Sequence, residues 1–231
     1  MNRLDLNESL LGESIAGGKE SKVYLYGNKI IKIFQTKKKP ILENKYNKLL
    51  LLNKIDLKTR PLDLIYINDE FKGYSMFKLK DYKEFKPKEY TIRERIDILK
   101  LLYKKLEYMH KKGIVYGDIR SSNILINSKK DIALCDLDNV KINDYDFDIL
   151  NRNQKRYLDL TGEKDIYMDD YVFNLYTVAC LYGILECYSY ECFVHNAKDF
   201  KGKGFDETVE YLLNLDHDNR DSGGKLIKMP K

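Results

Sequence analysis

The sequence lacks any apolar run long enough to cross a membrane. Leu49–Leu52 is four residues inside a polar segment, whereas a spanning helix needs about twenty. It also lacks the apolar core of a signal peptide, since MNRLDLNESLLGES carries acidic residues early. The expectation is a cytoplasmic protein with no membrane partner. A charge imbalance is missing too: 41 Lys and Arg stand against 36 Asp and Glu, a net +5 spread along the chain. That is too weak and too diffuse to indicate a nucleic-acid partner. Cysteine is scarce, and four thiols suit a reducing compartment. Cys187, Cys192 and His195, with Cys180 as a fourth candidate, match no zinc spacing, and the cysteines read as reduced thiols in or near a helix. The acidic run Asp144, Asp146, Asp148 fails as an EF-hand loop, because Ile149 and Lys155 occupy its sixth and twelfth positions. There is no internal repeat and no low-complexity linker; no sensor domain is expected, so regulation would come from outside or from expression.

What is present is an ordinary folded composition, 43 % hydrophobic and 33 % charged over 231 residues, enough for one large domain or two lobes. KVYLYGNKIIKIF, residues 22–34, predicts two strands around a Gly27-Asn28 hairpin turn. Residues 41–53 predict a helix with Ile41, Leu42, Lys45, Tyr46, Leu49 and Leu50 on one face, Lys45 contributing only its stem. Residues 62–67 and 73–79 read as further strands around the polar turn NDEFK. Thr91 and Glu94 form a capping box that opens a helix running to Lys111-Lys112-Gly113. Two short strands follow, at 124–126 and 132–135, and residues 169–186 are apolar enough all round to be a buried helix. The expected division is a β-rich part over 1–78 and a mainly helical part over 79–231, with a cleft between them.

The stretch IVYGDIRSSNILIN, residues 114–127, sets Asp118 and Asn123 between two apolar segments. Turns favour Asp, Asn and Gly, but a surface turn does not require IVY before it and ILI after it. Asp136 follows a strand in LCDLDN, Lys32 ends the tetrad KIIK, Glu43 lies on the next helix, and AGGKESKVY (16–24) is a glycine-containing turn.

In this order the set resembles the protein-kinase catalytic domain, over nearly the whole chain from about Leu10 to Arg220. YGDIRSSN stands for the catalytic loop H-R-D-L-x-x-x-N, Asp136-Leu137-Asp138 for D-F-G, and KIIK for V-A-I-K. The resemblance implies a bilobal α+β fold, a small β-rich N-lobe with one helix and a shortened helical C-lobe. It implies phosphoryl transfer from ATP with Mg²⁺, a reaction that rests on positioning and charge stabilisation. Asp118 would align the acceptor hydroxyl and take its proton. Arg120 would stand where many members carry a Lys on the transferring phosphate. Asn123 and Asp136 would bind the metal. Lys32 would hold the α and β phosphates and Glu43 would hold Lys32. Backbone N–H groups around Ala16, Gly17 and Gly18 would cover the phosphates, while Val23, Ile30, Met76, Lys78 and Leu125 would surround the nucleotide.

The chain departs from that pattern in several places. Tyr116 and Gly117 replace His and Arg of the catalytic loop, which argues against switching by a phosphorylated activation loop. Gly117-Asp118 is similar to the H-G-D of aminoglycoside and choline phosphotransferases. Ala16 and Ser21 replace two loop glycines, Ile30 replaces a small Ala, and Asp138 replaces the glycine of D-F-G, implying a fixed loop geometry. No A-P-E is present; counting back from Asp170, taken as the buried-helix Asp, Asp159 falls near its Glu and is expected to pair with Arg220. Cys135 borders the expected pocket, with an inert buried thiol the plainer reading. The expected function is a protein kinase acting on a Ser or Thr hydroxyl of a protein substrate. A partner protein would cover the shortened C-lobe. The alternatives are a small-molecule phosphotransferase and a pseudokinase acting as a binding module. Richness in Lys, Asn and Ile fits an AT-rich genome, such as that of a low-GC bacterium or a phage.

Overall fold

A computed structural model of the chain describes residues 1–182. In chain order these are strands β1 (Asn2–Asp5), β2 (Ala16–Gly17), β3 (Ser21–Tyr26) and β4 (Lys29–Phe34), helix α1 (Lys39–Asn53), and strands β5 (Asp63–Ile67), β6 (Glu70–Phe77) and β7 (Lys83–Glu84). Helix α2 (Ile92–His110), β8 (Ile114–Val115), β9 (Ile124–Ile126), β10 (Ile132–Leu134), β11 (Lys141–Ile142), α3 (Arg152–Thr161) and α4 (Ile166–Tyr182) follow. None of these helices is long and apolar enough to cross a membrane. Cys187, Cys192, His195, Arg220 and the end of the expected helix 169–186 lie outside the described residues.

The chain packs as two compact units, and each is built from two separate stretches. The first comprises Met1–Glu84 and Asn123–Ile149; the second, among the described residues, comprises Phe85–Ser122 and 150–182. A single cut at residue 78 does not describe this division, because the segment that begins at Asn123 returns to the β-rich unit.

The first unit is organised by a six-stranded sheet in the order β1-β5-β6-β4-β3-β2. Gly27 and Asn28 close the β3–β4 hairpin as the sequence indicates, with Tyr26 opposite Lys29. The β5–β6 turn is tighter than expected. Asn68 and Asp69 both take left-handed backbone angles, φ 51° and 62°, which is the two-residue hairpin geometry that Asn and Asp tolerate. Glu70, Phe71 and Lys72 are therefore strand rather than turn. β1 was not foreseen; it is four residues long and pairs in parallel with β5.

Alternation along β4 sends its side chains to opposite faces of the sheet, and both faces are covered. Ile31 and Ile33 join Leu6, Leu11, Ile65 and Ile67 in one core cluster. Phe34 joins Leu49, Leu64 and Tyr74 in the other, against α1. β6 can lie beside β4 only because residue 73 is glycine: a Cβ there would stand 1.9 Å from the Lys32 carbonyl oxygen. A second, three-stranded sheet (β10-β9-β7) completes this unit.

The second unit is helical. Thr91 and Glu94 cap α2 reciprocally as the sequence indicates, a motif worth about 1 kcal/mol. Ile98, Leu99, Leu102, Leu106 and Met109 form its buried face. Helix α3 was not foreseen, although its start carries the same device, Asn151 and Gln154 capping each other's backbone N–H groups. α4 is buried nearly all round, consistent with its apolar sequence.

Candidate active site

In the first unit Lys32 projects from β4 and is 8 % exposed. A buried ammonium needs a counter-charge. The expected partner, Glu43, is exposed on α1 and does not supply it. Lys32 Nζ is instead held by the carboxylates of Asp136 and Asp138. Asp138 sits in a short 3-10 turn, Leu137–Asn139, entered through Asp136 in the left-handed conformation, φ 63° and ψ 43°. Asp tolerates this conformation better than most residues, because its short polar side chain can bond locally.

Asp138 has further partners on α1 and β6. Its second oxygen lies 2.6 Å from Lys45 Nζ, and the Tyr74 hydroxyl donates to its first at 3.2 Å. Lys45 is therefore not a stem-only surface residue, because its ammonium is buried and paired. It also lies 3.2 Å from Asp148 Oδ2, which in turn takes Lys48 at 2.9 Å. Asn44 donates to Asp148 Oδ1 at 2.6 Å and to the Asp146 carbonyl at 3.0 Å. Three lysines and three aspartates thus form one buried chain of ion pairs from β4 through the Asp136 turn to α1. The acidic run that fails as an EF-hand supplies one counter-ion for α1, Asp148, and a carbonyl acceptor, that of Asp146.

Protonation follows from this packing. Burial opposes the charge on Lys32, but Asp138 and Asp136 outweigh it and hold its pKa above the usual lysine range. Burial likewise pushes the Asp138 carboxyl up, yet Lys32 and Lys45 hold it well below the usual carboxylate range. The two shifts agree: the pair is fully ionised. Lys48 moves the other way, its burial outweighing Asp148 and lowering its pKa.

Ala16 pairs with Val23, Val23 with Lys32, and Ile30 with Met76, so register puts these residues on the Lys32 face of the sheet. Val23, Ile30, Met76 and Leu125 are half-buried, and Lys78 is exposed. Gly17 is required by a close approach, since a Cβ would stand 2.7 Å from the Ser21 carbonyl oxygen. Gly18 N–H donates to that same carbonyl at 2.9 Å and so holds the turn together rather than pointing outward. Asn123 is buried, and its carbonyl accepts from Cys135 N–H at 3.0 Å, tying it to the strand that leads into Asp136. Asn123 and Asp136 offer hard oxygen donors, a set that fits a magnesium ion completing its shell with water and phosphate. Among the described residues no cluster of three His, Cys, Asp or Glu forms a metal site.

In the second unit Asp118 follows β8. Its Oδ1 accepts from Asn151 Nδ2 at 3.0 Å, and its Oδ2 lies 3.2 Å from Arg120 Nε. Asn151 Nδ2 also lies 3.2 Å from the Gly117 carbonyl oxygen. The backbone before Asp118 is held by Asp169 on α4, wholly buried, which accepts from Tyr116 N–H at 2.7 Å and from Gly117 N–H. His110 Nε2 lies 2.8 Å from the same carboxylate. The residue that ties α4 to the loop is thus Asp169 and not Asp170, which instead accepts from the Tyr103 hydroxyl at 3.3 Å. Burial raises the Asp170 carboxyl to about 6. Asp159 is exposed on α3, and its expected partner Arg220 lies outside the described residues.

A strand lysine, a loop with Asp and Asn five residues apart, and a metal-type aspartate after the next strand define a protein kinase domain. Residues 29–165 match the family model described as protein kinase domain, and the chain belongs to that family. Among curated proteins, it is 31 % identical over 126 residues to the mitogen-activated protein kinase hog1 of Blastobotrys adeninivorans, covering 50 % of this chain and 30 % of that protein. It is 32 % identical over 89 residues to HOG1 of Candida glabrata, covering 38 % of this chain and 19 % of that protein. With the mitogen-activated protein kinase sakA of Aspergillus fumigatus the identity is 31 % over 126 residues, 50 % of this chain and 32 % of that protein. The chain spans less than a third of the length of these relatives.

Proposed function

We propose that the chain is a protein kinase that transfers the γ-phosphoryl group of ATP to a Ser or Thr hydroxyl of a cytoplasmic protein, with Mg²⁺ bound by Asn123 and Asp136. Magnesium, when bound, draws charge off the phosphate oxygens. The observation that carries the reading is the Lys32–Asp136 pair, a buried cation joined to a carboxylate on a left-handed turn. Lys32 supplies the positive charge that the α and β phosphates need. Asp118 aligns the acceptor hydroxyl and takes its proton, with Asn151 fixing one carboxylate oxygen. Arg120, 52 % exposed beside Asp118, is the cation available to the transferring phosphate.

The test is label transfer from γ-labelled ATP with Mg²⁺ to the chain itself and to a generic protein, beside the Asp118→Asn variant. Transfer that falls by about a hundredfold or more in a folded variant supports the kinase. The second reading is a nucleotide-holding binding module, favoured by the engagement of Lys32 by two carboxylates rather than one. Magnesium-dependent ATP binding without transfer from either protein would establish it. ATP consumption with cell extract and no labelled protein would point to a small-molecule acceptor.

A further inference from the structure

The buried ion pairs of the first unit carry an inference that rests on the kinase reading. We infer that Asp138 is the positioning residue for Lys32. The acid that orients the phosphate-binding cation belongs to the metal-binding turn, and α1 contributes cations to the arrangement instead of an acid.

Lys32 is 8 % exposed and Asp138 is 3 % exposed, so neither is neutralised by solvent. Asp138 spends one oxygen on Lys32 and Tyr74 and the other on Lys45. The only acid of α1 is Glu43, and it faces solvent. Without Asp138, Lys32 would keep only Asp136 and Lys45 only Asp148, and the carboxylate that stands between the two lysines would be gone. Asp138 is also two residues from Asp136, on one short turn. One rigid turn therefore presents a metal ligand and aims the phosphate-binding lysine. Lys45 and Lys48 fasten that turn's neighbour Asp148 to α1, so the helix is held by the same network. The geometry of Lys32 is built in and does not await movement of a helix acid.

The decisive experiment is a charge exchange. Asp138→Gly removes the acid, and Lys45→Glu places one on α1 beside the vacated position. Two readouts are taken on the folded full chain: the dissociation constant for Mg-ATP, and the rate at which an amine-reactive reagent labels Lys32, followed by mass spectrometry. In Asp138→Gly, Lys32 labelling rises and ATP affinity falls, each on the order of tenfold or more, because a buried cation has lost one of its two counter-charges and the contact that sets its direction. The double variant Asp138→Gly, Lys45→Glu restores both toward wild type, which a merely structural role for Asp138 would not do. The isosteric Asp138→Asn is the fallback where the glycine variant does not fold, and its expected effects have the same sign. Unchanged labelling of Lys32 in a folded Asp138→Asn or Asp138→Gly protein would overturn the inference. The labelling arm needs no nucleotide. Absent ATP binding in the wild type together with Asp138-dependent labelling would therefore sink the kinase reading and leave the positioning role standing.

Discussion

Asn151 holds the Asp118 carboxylate through its side-chain nitrogen at 3.0 Å while its side-chain oxygen caps α3 by accepting from Gln154 N–H at 2.9 Å. One amide thus starts a helix and fixes the proposed proton acceptor, and the two functions are separable. Ser at 151 keeps a cap oxygen but is too short to reach Asp118. Asn151→Ser is expected to leave the melting temperature nearly unchanged and to lower kcat for phosphoryl transfer by about tenfold to a hundredfold, the usual effect of misorienting a reacting group. Steady-state kinetics beside a thermal melt decide it. Loss of stability without loss of kcat would show that the contact only caps the helix.

Asp169 is wholly buried, and its carboxylate serves the N–H groups of Tyr116 and Gly117 and the His110 ring. Asp169→Ala leaves those donors buried and unpaired, and unfolding by urea should report a loss of about 3 kcal/mol. Asp169→Asn keeps one acceptor oxygen and should lose less.

Asp170 predicts a pH dependence. Its folded pKa is raised, by burial first, from 3.8 to about 6. The folded state then binds a proton more tightly than the unfolded chain, so this contribution to stability is complete below about pH 4 and is lost as pH rises through about 6. Asp170→Asn stays neutral and can keep its contact with Tyr103. Its melting temperature relative to wild type should improve progressively from pH 4 to pH 7, by up to about 2 kcal/mol of stability. A gap that does not change with pH would refute the assignment.

Gly73 is fixed by the neighbouring strand. Gly73→Ala would drive a methyl into the Lys32 backbone, whose carbonyl oxygen is 1.9 Å from the Cβ position, so the strands must separate. A loss of about 3 kcal/mol is expected, visible as reduced soluble yield and a lower melting temperature. A variant as stable as wild type would mean that β6 and β4 adjust without cost.

Much of this architecture is legible along the chain because its signals are local. The Thr91–Glu94 box, the Gly27-Asn28 turn and the apolar run of α4 each lie within a few residues of the structure they specify. The Asn151–Gln154 box gave the same kind of signal for α3 and was available to be read. The charge network was not legible. Lys45 reads as a stem on the apolar face of the helix and nothing local singles out Lys48, because burial of a lysine's ammonium depends on a partner far along the chain. Glu43 reads as the partner of Lys32 for the converse reason: a helix acid after the strand lysine satisfies the familiar order, whereas the 3-10 turn that brings Asp138 to Lys32 has no sequence signature. The Asp169–Asp170 choice turned on one residue, a rotation of 100° on a helix that only packing can resolve.

The distance along the chain between the buried cations and their counter-ions bears on synthesis of the protein. Lys32, Lys45 and Lys48 precede Asp136, Asp138 and Asp148 by 104, 93 and 100 residues respectively. At a ribosome adding about 5–20 residues per second, that interval lasts several seconds. Through it the six-stranded sheet can pair, but α1 cannot settle on it without burying three unneutralised ammonium groups. Covering of the sheet by α1 is therefore expected to wait until Asp148 has left the exit tunnel.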